Sequence, residues 1–524
     1  MGRNKTKALG LVLAGAVLTV SACSGDGDGD GGSDGKIVLG VDADPGSLDP
    51  QGTVNDVNLV MGVLAYDTPV TLLEGGKVVP QVVTDWTRDG NIWTLTVRDG
   101  VRCSDGTAVD GTTLADNINY VVDPDNGSGM SGVAVPEDAK ATGDGLTTTV
   151  SLEDPAPFFM ENLAELPIVC GKGLTDRTML EKETSGSGPY VLKSAKPGQE
   201  YTYTVRDGYA WGPDGKTADD TNIPKQVTVQ VVRDQTTMAT LMQSGDIDIA
   251  NLDASAAERL DKGGVKSDEK LAIGHELAFN HLSAGLDDPN VRRALIAAVD
   301  KETLAKIDTG GEGTVANGFL ADPKICPGDT VTGISPDYDP DAAAQMLDDA
   351  GWVEDSDGIR AKDGKKLTVS VVFDNATTTN APSVEYLTQQ WQAIGVDAKA
   401  DGMTVDQMNG IVFGGKGGTW DGWYSSLGVS NPATLVPFFQ GETTPDGLNF
   451  ASIDNPDYDA AIDQANTQDG AAGCDSWNEG EEALIRDADF TPLSNVSYKY
   501  FYGDAVKVEL ANGLLLPMFV TMAS

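Results

Sequence analysis

The pattern of apolar residues along this 524-residue chain predicts an α/β fold of more than one domain. Three observations carry that prediction. Strand-like runs alternate with helix-like runs through the full length, the helices begin and end on capping residues, and the chain exceeds the roughly 250 to 300 residues at which single cores stop growing.

Taken in order, KIVLGVDA from Lys36 is a strand, followed by a turn at DPGSLDP and a helical stretch over 56–73. NIWTLTVRDG alternates, with Trp93, Leu95 and Val97 on one face, as a half-buried strand running into a turn at Asp99-Gly100. A helix over 113–122 follows, with threonine available as N-cap. VTVQVV, TTMATLMQS ended by Gly245, and DIDIANL read as strand, helix and strand. LTVSVVF, APSVEYLTQQWQAI ended by Gly395, and VDAKADG repeat that scheme. Asp288-Pro289 opens one helix, NVRRALIAAVDKETL, and Asp339-Pro340 opens another, DAAAQMLDDAG, each with a capping acid and a proline in the first turn.

The N-terminus has its own logic. Residues 1–22 combine basic Arg3, Lys5 and Lys7, an apolar run from Ala8 to Val20, and small residues before Cys23, the pattern of a cleaved signal peptide. The apolar run falls short of the roughly 20 residues that span a bilayer. Residues 23–35, rich in Gly and Asp, have nothing to bury and are expected to act as a flexible tether reaching on the order of 20 Å.

Thirty-six Lys and Arg against 80 Asp and Glu give a net charge of −44, and losing three basic residues with the signal takes it near −47. Binding to nucleic acid or to an anionic membrane is disfavoured. Cys103, Cys170, Cys326 and Cys474 form an even set in an exported chain, which predicts two disulfides. Of three possible pairings, chain order favours Cys103 with Cys170 and Cys326 with Cys474.

Motifs for catalysis fail on inspection. GIVFGGKGG has Gly417 where a phosphate-binding loop needs Ser or Thr, and GGSDG lacks the strand and helix of a nucleophile elbow. Asp26, Asp28, Asp30 and Gly31 imitate the start of a calcium loop, but Ile37 stands where its bidentate glutamate belongs. His275 and His281 form no H-E-x-x-H, and no His, Cys or Met cluster suits zinc or nickel, so no metal and no cofactor are expected. A secreted hydrolase remains the rival reading, since 80 acids make chance carboxylate pairs certain.

Laid end to end, several phrases resemble the family 5 extracellular solute-binding proteins, the dipeptide, oligopeptide and nickel class of ABC importer components. They are PGSLDP, VVPQVVTDWTRDGNIWTLTVRDGVRCSDGTAVDG, SGSGPYVL, QSGDIDIA, LAFN followed by DDPNVRRALIAAVDKETL, and YDPDAAAQMLDDAGW. The residues before Cys23, Val20-Ser21-Ala22, are similar to a bacterial lipobox, which implies a lipid-bearing Cys23. The resemblance implies a periplasmic-binding-protein-like, two-lobed α/β fold with an additional inserted domain, its mixed sheets flanked by helices. Domain I would take 36–55, 185–280 and 488–524, domain II 56–184, and domain III 281–487. HELAFN and TPLSNVSYKYFY would cross between lobes that close on a ligand.

The same resemblance implies an extracytoplasmic, lipid-anchored, monomeric receptor that takes peptides or a related polar solute to permease subunits with cytoplasmic ATPases. It would be no enzyme. An oligosaccharide receptor and a signalling sensor are alternatives on the same fold. The segment DGWYSSLGVSNP is similar to the G-W-x-x-D segment with which dipeptide-binding members hold an α-amino group, but Ser426 stands where the aspartate belongs. The tryptophan those members carry upstream has no counterpart near Thr404, and both departures argue against a dipeptide cargo. Candidate ligand contacts are therefore Thr53, Trp423, Tyr424, Ser425, Ser426 and Asn431, an indole, a phenol, hydroxyls and an amide suited to neutral polar groups. Trp423 reads equally as a core ring.

Overall fold

The computed structural model describes residues 35–52, 56–73, 76–219, 222–252, 254–311, 313–321, 324–414, 419–511 and 513–523. Cys23, residues 24–34 of the expected tether and Thr53 lie outside them.

One 11-stranded mixed sheet organises the molecule. Its main strands in chain order are β1 (Lys36–Val41), β2 (Tyr190–Lys196), β3 (Glu200–Val205), β4 (Gln226–Val231), β5 (Ile249–Leu252), β6 (Lys266–Phe279), β7 (Thr368–Asp374), β8 (Asp397–Met403), β9 (Gly422–Ser425) and β10 (Phe490–Tyr502). Across the sheet they run β8-β7-β9-β6-β10-β5-β1-β4-β3-β2, and Thr314–Val315 adds a short strand against β10. β1 is parallel to both neighbours; Ile37, Leu39 and Val41 are buried on one face and Val38 on the other packs against the cluster that contains Met238 and Ile247, as expected of a strand covered on its two faces. The helices Gln235–Ser244 and Asn380–Ala393 are the crossovers that return the chain to the sheet in the two strand-helix-strand units.

β6 and β10 hold the two halves of that sheet together. They pair antiparallel from Lys266 opposite Tyr502 to Ala278 opposite Phe490. At one end β10 pairs with β5, and at the other β6 pairs with β9. The register shifts on either side of His275, so the strand bends where it passes from one half to the other. Gly274 suits that bend, because a Cβ there would lie 2.4 Å from Ser494 Oγ.

A separate four-stranded antiparallel sheet is built from residues 83–97 and 140–151 and carries the helix Gly111–Val122, whose N-cap Asp110 accepts from Thr113 N. The expected helix over 56–73 is shorter. α1 covers Asp56–Ala65, and Val70–Leu73 forms a strand, because Pro69 interrupts the helix and its carbonyl accepts from Val83 N. The expected helix after Pro289 is two helices: Pro289–Ala297 and a second, Lys301–Asp308, which Asp300 caps through Glu302 N and Thr303 N. Cys103 is bonded to Cys170 and Cys326 to Cys474, cross-links that span 67 and 148 residues.

Candidate functional site

Alternation along β9 sorts the candidate residues onto opposite faces. Tyr424 lies opposite Leu277 of β6 and packs in the core with Leu277, Val371 and Phe373. It is fully buried; its ring stacks on His275 at 4.5 Å and its hydroxyl donates to Asp308 Oδ1 at 2.6 Å. Asp308, at the end of the helix Lys301–Asp308, also accepts from Ser383, Ser494 and the His275 ring. Burial pushes its pKa up, but the His275 hydrogen bond and charge, with the two hydroxyls of Ser494 and Tyr424, hold it below the usual carboxylate range. With four donors converging on two oxygens, this is a closed network. Tyr424 therefore positions β9 and offers no surface to a ligand in this conformation.

The other face is different. Trp423 and Ser425 share it with Glu276 and Ala278 of β6 and Phe490 of β10. Trp423 is 2% exposed and is packed among Phe413, Phe450 and Phe490, as its core-ring reading required. Its indole Nε1 is nevertheless buried without a hydrogen-bond partner among the described residues. Ser425 is half-buried opposite Glu276, and the buried Ser426 hydroxyl likewise has no partner among the described residues. Asn431 caps the turn after it through Ala433 N, and its Nδ2 donates to Asn162 Oδ1 at 2.8 Å.

That last bond is part of a seam between residues 56–184 and 281–487. Leu72 and Phe158 lie in one apolar cluster with Phe319, Trp423, Phe439 and Trp477, and the Phe158 and Trp477 rings are 5.6 Å apart. Gly470 N donates to Pro157 O at 2.8 Å, and Arg88 pairs with Asp469. Gly470 has a φ of 53°, and a Cβ there would come within 2.4 Å of Glu161 Oε1. Burial pushes the Glu161 acid up to about 7.

Sequence reasoning missed Glu276. The residue is fully buried just past the bend in β6; Oε2 accepts from Leu427 N at 2.7 Å, and Oε1 has no partner among the described residues. Burial, with the negative charge of Glu481 in addition, pushes its acid up to about 8. A charged residue inside the apolar run HELAFN was the available signal.

What the arrangement can do is bind. Three buried polar atoms with unmet hydrogen-bonding capacity, from Glu276, Trp423 and Ser426, lie in or beside β6 and β9 at the passage between the halves of the sheet. Among the described residues no group of three or more His, Cys, Asp or Glu is placed to hold a metal ion, and no helix is long and apolar enough to cross a membrane. The phosphate-loop look-alike begins inside the helix Val405–Val412, not after a strand, and its residues 415–418 lie outside the described set.

Residues 77–446 match the family model of the bacterial extracellular solute-binding proteins, family 5 Middle. Protein XP55 of Streptomyces lividans is 28% identical over 484 residues, covering 89% of this chain and 85% of that protein. The periplasmic murein peptide-binding protein of Escherichia coli is 24% identical over 517 residues, covering 90% of this chain and 89% of that protein. Among solved structures, an ABC transporter substrate-binding protein from Listeria monocytogenes superposes with a TM-score of 0.74 at 19% identity, over 94% of this chain and 100% of that one. The match covers well over half of the chain, and on it this chain belongs to the family 5 bacterial extracellular solute-binding proteins of ABC importers.

Proposed function

We propose that the mature chain is a lipid-anchored receptor that captures a peptide or related polar solute outside the membrane and delivers it unaltered to a permease with cytoplasmic ATPases. The anchor is Cys23, and the tether after it keeps docking to the permease effectively intramolecular. Domain I (36–55, 185–280, 488–524), the inserted domain II (56–184) and domain III (281–487) move about β6 and β10 as the site opens and closes. The observation that carries this reading is the set of unmet polar groups where those strands pass between the halves of the sheet. Ser425, Ser426 and Asn431 are the polar contacts, Trp423 supplies its indole N–H, Tyr424 acts through its hold on β9, and Thr53, which lies outside the described residues, is a further candidate from its position in the sequence.

The test is mass spectrometry of solute released from natively purified protein, followed by binding assays on Ser426→Ala and Trp423→Ala. An intact small solute at one per chain, bound more weakly by Ser426→Ala, is the expected result. Unchanged affinity in both variants overturns the site. Turnover of a peptide or oligosaccharide by the purified protein, abolished by replacing specific carboxylates, replaces the receptor reading with a secreted hydrolase.

A further inference from the structure

Glu276 is an anomaly by the ordinary rules of burial. A carboxylate removed from water needs a counter-charge or a full set of donors, because its desolvation costs several kcal/mol. Glu276 has one donor, Leu427 N, at one oxygen. No lysine, arginine or histidine among the described residues forms an ion pair with it, and the charge that acts on it most is the negative one of Glu481. Protonation does not resolve this. The neutral acid would carry an O–H, and the Oε1 side has no acceptor among the described residues.

Its surroundings share the deficiency. Glu276 sits directly opposite Ser425, so their Cβ atoms are about 5 Å apart. The Leu427 N–H that holds Oε2 belongs to the loop that also carries the unpartnered Ser426 hydroxyl. Trp423, two residues along the same face and about 7 Å away, has the unpartnered indole N–H. The corner thus offers a carboxylate, a hydroxyl and an N–H donor. Such a set is met by a group that is cationic at one end and carries an oxygen acceptor nearby. The net charge of −44 acts in the same direction, raising the local concentration of cations at the surface.

We propose that Glu276 is a specificity-determining residue of the ligand site and that it receives a cationic nitrogen of the cargo, an ammonium or a guanidinium, whose neighbouring oxygen accepts from Trp423 Nε1. This rests on the receptor reading above and narrows it to solutes with a positively charged end.

The probes are tri-alanine with a free amino group and its N-acetylated form, titrated calorimetrically into the full mature chain. The wild type is expected to favour the free amine at least tenfold, and Glu276→Gln to weaken it by about tenfold or more and abolish the preference. The unliganded variant is expected to melt at or above the wild-type temperature, since the substitution removes a buried acid whose retained proton and unpartnered Oε1 both cost stability. A merely structural glutamate would lower it. Should Glu276→Gln not fold, Glu276→Asp retains the charge one methylene back and is expected to weaken binding while keeping the preference.

Equal binding of both probes by the wild type, or undiminished binding by Glu276→Gln, means that the corner holds a buried water only and overturns the proposal. If neither peptide binds, the peptide reading fails, and solute released from native protein becomes the probe. A released solute without a cationic nitrogen overturns the role of Glu276, and one that has it and binds Glu276→Gln at least tenfold more weakly supports it.

Discussion

Tyr424 and Glu276 show what a residue's identity does and does not reveal. Tyr424 was a cleft candidate because phenols suit polar ligands, yet its hydroxyl is engaged by Asp308 and its ring by His275. Alternation sets Tyr424 on the face opposite Trp423 and Ser425, but four residues of strand are too few to show what each face packs against. Trp423 could be read either way, and its burial beside an unpartnered N–H keeps both halves of that ambiguity. Glu276 was hidden among 80 acids. Tyr424→Phe removes a buried donor from Asp308 and is expected to lower stability by about 1–3 kcal/mol in urea titrations; no loss would show that the network is not holding β9. Glu276 also predicts a pH effect. Its acid is raised from 4.5 to about 8 in the fold, so the folded state retains a proton that the unfolded chain has released. Stability from this group is complete below about pH 4.5 and is lost as pH rises through 8, at up to about 1.4 kcal/mol per pH unit. His281, depressed to about 3 by burial, acts oppositely between pH 3 and 6.5, so the difference between wild type and Glu276→Gln is the quantity to measure. The melting temperature of Glu276→Gln is expected to gain on the wild type steadily from pH 5 to 8; parallel profiles would contradict the shift.

At the scale of elements, periodicity and caps located the parts that local chemistry decides. The crossover helices and their glycine ends follow from such patterns, whereas the crossing strands β6 and β10, which contain HELAF and TPLSNVSYKYFY, were implied by the family resemblance. The errors came where one residue overrides periodicity: Pro69 turned the end of an expected helix into a strand, and Asp300 divided another in two. The bend in β6 was not visible, because a register shift depends on the partner strand. Gly274 tests it. A Cβ at that position meets Ser494 Oγ at 2.4 Å and Asp308 Oδ2 at 3.2 Å, so Gly274→Ala is expected to displace Ser494 from Asp308 and to destabilise by about 1–3 kcal/mol. A wild-type denaturation midpoint would mean that the bend relaxes freely.

For the whole molecule, the α/β class and the family were legible in the sequence, whereas contacts between distant segments were not. The seam joining Arg88, Pro157, Phe158 and Asn162 to Asp469, Gly470, Trp477 and Asn431 brings together residues that no periodic pattern relates. If this seam is what holds the halves in contact, the double variant Arg88→Ala/Asn162→Ala is expected to show a larger radius of gyration by small-angle scattering without ligand, and to contract when solute is added. An unchanged radius would assign the seam to permanent packing. The central claim is that the chain holds a solute at the crossing strands and leaves it chemically unaltered, and native mass spectrometry of the purified mature protein tests it most directly. One intact small molecule per chain, released unchanged on denaturation and absent from the Ser426→Ala protein, is the expected result; a chain that carries nothing and binds no offered solute, or that returns a cleaved one, would contradict it.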